Sequence, residues 1–302
     1  EDGARKTKGW FKVIPDEDLD PDEYDDAAEH WYYADGDGEL YANVIKTING
    51  RKYAFDNYGR MLDGLRLITF DTNENTGAVS TKEIIEALGD DDDANFLFDT
   101  EDNLDATIQK IMADDELSAT MSFMYFGDED DGAVKTGKQK IDIDGDEIDF
   151  EFKKDGSKKG QGRNEIDTSD KVIYALGKRY KADSDNKYEI VLKLENGSLV
   201  SVTTEEYVNA LSGEGNGTYI SKKSNGDEDN LYYYGKNGVV DEDGEKVVQK
   251  SLQSWNDVKV EKAYVVNTSG SLVKNKSKCK DGDDYVINVD DFDIEEIYEE
   301  LD

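Results

Sequence analysis

Four aromatic residues, Trp10, Trp31, Tyr33 and Tyr53, are the side chains of this sequence best suited to hold a ligand. Trp31 and Tyr33 lie two apart, so an extended strand turns both rings to one face and Tyr32 to the other. Joined by Trp10 from upstream, with Tyr53 as a neighbour, they can form an open aromatic cage. Such a cage holds a quaternary ammonium by cation–π attraction, worth about 0.5–2 kcal/mol per ring. It can equally stack a sugar ring, or the rings can serve only to pack one hairpin on the next.

Hairpins able to carry these rings are signalled by a pattern that recurs four times: a glycine, any residue, an apolar residue, two more positions, then Gly or Asn. It begins at Gly38, Gly59, Gly132 and Gly270. Three copies are followed by hairpin signals at Asn49-Gly50, Asp144-Gly145 and Asp281-Gly282. Asn-Gly is a favoured type I′ turn because both central residues need positive φ. Aligning Tyr32 with Tyr53, Gly38 with Gly59 and Leu40 with Met61 gives a period of 21 residues. Self-similarity of this kind predicts a mainly β fold of stacked β-hairpin repeats, solenoid-like, with short helical insertions.

Helices are expected at three places. Ser80-Thr81-Lys82-Glu83 has the form of a capping box, with Gly89 as its C-cap. Leu104, Ile108, Ile111 and Met112 follow a helical period. Thr203-Thr204-Glu205-Glu206 is a second capping box, with Val208 and Leu211 on one face. Strands are expected over 121–126, 141–143, 148–152, 172–176, 188–194, 231–234 and 263–266, with an acidic loop from Pro15 to Glu29 containing Pro21. Residues 292–301 fit either a strand or an amphipathic helix. The organisation read from this is repeats over 1–70, a helical insertion over 71–120, degenerate hairpins over 121–200, and a helix plus degenerate repeats over 201–302.

The net charge of −36 makes nucleic acid and anionic membrane surfaces poor partners, since there is no surplus of Lys and Arg. Neutral glycans, cations and basic proteins stay open. No apolar run approaches the roughly 18 residues of a membrane helix. A single cysteine, Cys279, excludes an internal disulfide, and its flanking lysines are expected to lower its pKa. Enzyme signals are thin: His30 is the one histidine, and no carboxylate pair stands out among 72 acidic residues. Asp35-Gly36-Asp37-Gly38 and Asp142-Ile143-Asp144-Gly145-Asp146 look like calcium-loop fragments but lack the bidentate Glu of an EF-hand. They read as turns, so no cofactor or dedicated metal site is expected, only weak calcium binding by clustered carboxylates.

The run His30-Trp31-Tyr32-Tyr33, then Gly38-Glu39-Leu40, then Asn49-Gly50-Arg51-Lys52-Tyr53-Ala54-Phe55 resembles the choline-binding or cell-wall-binding repeat family of Gram-positive surface proteins. Gly9-Trp10 falls where that family carries a Gly-Trp pair. The likeness is good over about residues 1–65 and diluted at 123–162 and 263–287. It implies hairpin-plus-loop repeats, a secreted or bacterial cell-surface location, and non-covalent attachment to wall polymer or glycan. The opening residues resemble the tail of a repeat, so the chain is expected to be a fragment of a longer protein. Trp31 aligns with Lys52, Glu147 and Asp284, and Tyr33 with Ala54, Asp149 and Val286. The ligand face keeps its aromatics only in the first repeat, so multivalent choline binding is not expected. Two other functions fit the same residues: an adhesin-like module contacting a host or partner protein, and a structural spacer displaying an N-terminal domain.

Overall fold

The computed structural model describes residues 6–17, 28–213, 218–222, 228–233 and 252–300. The chain forms two compact units. One comprises residues 1–107, 114–163 and 176–178; the other comprises 108–113, 164–175 and 179–302. The fold is mainly β, built of antiparallel hairpins with few helices, as the repeats imply.

In the first unit β1 (Gly9–Val13) and β2 (His30–Ala34) pair antiparallel, Trp10 opposite Tyr33 and Lys12 opposite Trp31. β3 (Val44–Ile48) turns into β4 (Arg51–Phe55) through Asn49 at φ 49° and Gly50 at φ 84°. Both values are positive, as a type I′ hairpin demands. β5 (Leu65–Thr72), β6 (Val79–Leu88) and β7 (Met121–Tyr125) complete a sheet ordered β4-β3-β6-β5-β7. β8 (Gly137–Ile143) and β9 (Asp146–Phe152) form a second type I′ hairpin on Asp144 and Gly145. Ile45, Ala54, Leu62, Ile68, Phe70, Ile84, Met124 and Phe126 form a buried core.

The helix expected after Ser80 is instead the strand β6. Ser80 Oγ still accepts the amides of Lys82 and Glu83 at 3.1 and 2.9 Å, as a cap would. The chain nevertheless runs on extended, Leu88 opposite Leu67 and Ala87 opposite Ile68, so Ile84 and Leu88 are buried against β5. Ile84 is β-branched and stiff in a helix, and the sheet offers it a partner in Phe70, while Ile85 at the register shift stays exposed. The next periodic segment does form a helix, α1 (Glu101–Met112), with Leu104, Ile108 and Ile111 fully buried. A further helix, α2 (Asp115–Thr120), starts where Asp114 accepts the amides of Glu116 and Leu117.

Three of the four repeat glycines share one turn. In each, an Asx residue three positions before the glycine accepts two amides of its own loop on Oδ1. Asp35 takes those of Asp37 and Glu39, Asp56 those of Tyr58 and Arg60, and Asn267 those of Ser269 and Ser271. Gly38, Gly59 and Gly270 have φ of 78°, 83° and 69°, and each donates to its Asx carbonyl. The chain then folds back identically: Tyr41 N donates to Tyr33 O, Leu62 N to Ala54 O, and Val273 N to Val265 O. The third copy differs. Gly132 N donates to Asp128 O, four residues back, which makes a loop one residue longer.

Asp281-Gly282 is also not the Asn-Gly-type hairpin that the sequence suggested. Asp281 Oδ1 accepts the amides of Asp283 and Tyr285, and Asp284 sits at φ 67° where the other copies have glycine. It is therefore another copy of the Asx turn, lacking its glycine because Asp tolerates the left-handed region better than most residues.

The second unit contains β10 (Glu165–Asp167), β11 (Val172–Ala175), β13 (Tyr188–Leu194) and β14 (Leu199–Val202), with β12 (Lys178–Arg179) entering it from the first. α3 (Thr204–Gly213) begins at a complete capping box: Thr203 N donates to Glu206 Oε2 at 2.8 Å, and Glu206 N donates to Thr203 Oγ1 at 3.1 Å. β15 (Thr218–Lys222), β16 (Glu228–Tyr233), β17 (Ser254–Trp255), β18 (Val258–Asn267), β19 (Lys276–Lys280), β20 (Tyr285–Asp290) and β21 (Asp293–Glu300) follow. Two sheets result, ordered β14-β13-β18-β17 and β15-β16-β21-β20-β19. The closing segment is thus a strand. Residues 18–27 of the expected acidic loop, with Pro21, and residue 234 lie outside the described residues.

Candidate functional site

All four aromatic residues singled out from the sequence meet in the first unit. Trp10 is at their centre. Its ring centroid lies 5.1 Å from Tyr33 and 6.4 Å from Trp31, both nearly perpendicular, and 4.8 Å from Tyr53. Phe55 stacks on it at 5.8 Å, and Tyr41 lies parallel to Tyr33 at 5.4 Å. Edge-to-face contacts at these distances are worth about 0.5–1.5 kcal/mol each beyond burial. Tyr32 sits on the opposite face, fully buried and stacked on Phe11 at 5.7 Å. The rings interlock, with Trp10, Trp31, Tyr33 and Tyr53 half-buried. They do not stand apart as an empty three-walled cage.

Cations of the chain itself already face two of these rings. Lys12 Nζ lies 5.8 Å from the Trp31 centroid and Lys46 Nζ lies 5.0 Å from that of Tyr41. Asp130 receives Trp31 Nε1 at 3.4 Å and Lys12 Nζ at 3.3 Å. The hydrogen bond from Trp31, then that from Lys12 and its charge, hold the Asp130 carboxyl below its usual range. Sequence gave no sign of Asp130, which is 99 positions from Trp31. Tyr41 and Phe55 were also missed, although Phe55 shares a strand face with Tyr53 and so was within reach of an alternation argument.

Beside Trp31 lies a cavity of about 310 Å³, bordered also by Lys12, His30, Arg60 and Arg66. Arg60 Nε donates to Asp56 Oδ2 at 2.6 Å, and Asp56 is the buried turn residue of the second repeat. Arg66 donates through Nη2 to Asp63 Oδ1 at 2.8 Å and through Nε to the Asp63 carbonyl at 2.9 Å. The single histidine thus opens the strand β2 and borders this cavity.

Lys178 is buried between Glu101 at 2.9 Å and Asp105 at 2.6 Å, which hold its ammonium in place. Cys279 is buried, and desolvation raises its pKa against the opposing charge of Lys276. This reverses the expectation from its lysine-rich neighbours, because Lys274, Lys276, Lys278 and Lys280 reach toward solvent while the thiol packs in the core. The calcium-like segments act as turns: Asp35 caps its own loop, and Asp142 Oδ1 accepts the Gly145 amide at 3.3 Å. Among the described residues no group of three or more His, Cys, Asp or Glu is arranged to hold a metal. Among those residues, too, no helix is long and apolar enough to cross a membrane.

No protein-family model and no curated protein matches this chain. Among solved structures it is similar to the pneumococcal cell wall endolysin from phage Cp-1, solved with choline, at 14% identity and a TM-score of 0.22. That alignment covers 85% of this chain and 42% of the endolysin, less than half its length. The modular autolysin LytC from Streptococcus pneumoniae is 14% identical, with 90% and 41% covered and a TM-score of 0.17. Choline binding protein F of Streptococcus pneumoniae is 16% identical, with 97% and 99% covered and a TM-score of 0.17. TM-scores at this level do not establish a shared overall shape.

Proposed function

We propose that this chain is a non-catalytic module of the bacterial cell surface that attaches to a cell-wall polymer or extracellular glycan. The observation that carries this reading is the convergence of Trp10, Trp31, Tyr33 and Tyr53 on two adjacent hairpins, half-buried and therefore still presenting ring surface. Aromatic faces of this kind suit the apolar faces of sugar rings. The charge of −36 disfavours anionic polymers and is compatible with a neutral glycan. The repeated Asx–glycine turn supports a hairpin array whose first members carry the ligand face. Glycan is favoured over choline, because Trp10, Trp31, Tyr33 and Tyr53 interlock and do not form the open cage that surrounds a quaternary ammonium.

Sedimentation with purified cell walls and with insoluble polysaccharides tests the reading. The chain is expected to be retained on at least one of them, and Trp31→Ala together with Tyr33→Ala is expected to abolish retention. A chain that stays in the supernatant with every polymer removes the proposal.

A further inference from the structure

We propose that the cavity beside Trp31 seats one uncharged, polyhydroxylated pyranose unit, an inference that rests on the glycan reading above. The volume of about 310 Å³ lies at the lower end of the roughly 300–1,000 Å³ of small-ligand sites. It therefore suits a single sugar ring and not a longer stretch of polymer.

The chemistry of the walls selects the class of ligand. Arg60 and Arg66 offer forked donors, while Asp56 and Asp63 beside them offer acceptors. A sugar hydroxyl is both donor and acceptor, and vicinal hydroxyls match the paired geometry of guanidinium and carboxylate. An anion would meet Glu29, Asp56, Asp63, Asp92 and Glu129, an excess of carboxylates over Lys12, Arg60 and Arg66. A cation would have to compete with Arg60 and Arg66, which already neutralise Asp56 and Asp63.

The donors are also set before a ligand arrives. Asp56 is itself held by the amides of Tyr58 and Arg60 at 2.9 and 2.8 Å, so the Arg60 guanidinium leans on a carboxylate fixed by the repeat turn. Two hydrogen bonds to Asp63 orient Arg66. Preorganisation of this kind lowers the ordering cost of binding. The seat therefore combines the half-buried Trp31 ring as an apolar wall with the two arginines as hydroxyl readers.

Saturation-transfer NMR on the full chain tests the assignment, with isomaltotriose and the N-acetylglucosamine trimer as neutral probes and choline chloride and glucuronate as charged ones. Transfer to one neutral trimer is expected, with a half-saturating concentration raised about tenfold by Arg66→Gln at an unchanged unfolding temperature. Arg66→Lys, which keeps the charge and loses the fork, is expected to show the same loss. Transfer to neither trimer, transfer to a charged probe in its place, or trimer binding unaltered in both variants overturns the assignment. Retention on cell walls without trimer binding overturns the cavity seat and leaves attachment standing. Loss of wall retention as well ends both.

Discussion

Trp10 and Tyr53 belong to different hairpins, and their rings meet at 4.8 Å and 66°. This contact joins the β1–β2 pair to the β3–β4 pair, so the same ring that belongs to the candidate ligand face also couples one repeat to the next. Binding and stability share residues here, and the two roles separate by which ring is removed.

Trp10→Ala removes the ring that touches Trp31, Tyr33, Tyr53 and Phe55. Full burial of Trp corresponds to about 3–5 kcal/mol on truncation, and half-burial brings the expectation to about 2–3 kcal/mol. Trp31→Ala, which touches Trp10 alone among those rings, is expected to cost about half as much. Urea unfolding of the two variants, compared at equal m-value, checks the ranking.

The Asx turns are expected to differ in strength although their geometry is the same. Asp56 is buried and holds two amides and Arg60, so Asp56→Ala is expected to cost about 2–3 kcal/mol. Asp35 makes the same two amide bonds near the surface, and Asp35→Ala is expected to cost about 1 kcal/mol. Equal losses in thermal unfolding would contradict the role given to the Arg60 pair.

Gly59 lies at φ 83°, and an added Cβ would come within 3.1 Å of the Tyr41 carbonyl. Gly59→Ala is expected to destabilise by about 1–2 kcal/mol from the left-handed backbone alone. Gly36→Ala, where nothing lies within 4 Å, is expected to stay within about 0.5 kcal/mol of the parent. Denaturant midpoints of both variants give the comparison.

Asp281 is buried, and desolvation raises its pKa against the bonds it accepts from the Asp283 and Tyr285 amides. The folded state then holds this proton more tightly than the unfolded chain. Its contribution favours folding most below the unfolded pKa and declines as pH rises through the raised folded value. Asp281→Asn keeps an acceptor and removes the titration, so its unfolding temperature is expected to vary less than the parent's across that acidic range. Parallel melting curves for the two proteins would refute this.

Short-range chemistry was legible from residue order alone. Asn49-Gly50 and Asp144-Gly145 dictate type I′ hairpins because each pair tolerates positive φ, and Thr203 with Glu206 closes a capping box within four residues. The 21-residue period likewise reports a real turn, repeated at Asp35 and Asp56. Ser80 shows where such reasoning stops: its side chain makes the cap's hydrogen bonds, yet pairing with β5 draws the segment into a strand. A cap stabilises by about 1 kcal/mol, whereas burying Ile84 and Leu88 contributes roughly 1.5–3 kcal/mol for each side chain. The candidate site divides in the same way. Alternation placed Trp31 and Tyr33 on one face, but only tertiary structure brought Asp130 to Trp31, Lys12 over its ring, and Arg60 and Arg66 to one cavity. Those contacts join residues from separate strands and loops, and their energy depends on packing that no local spacing encodes.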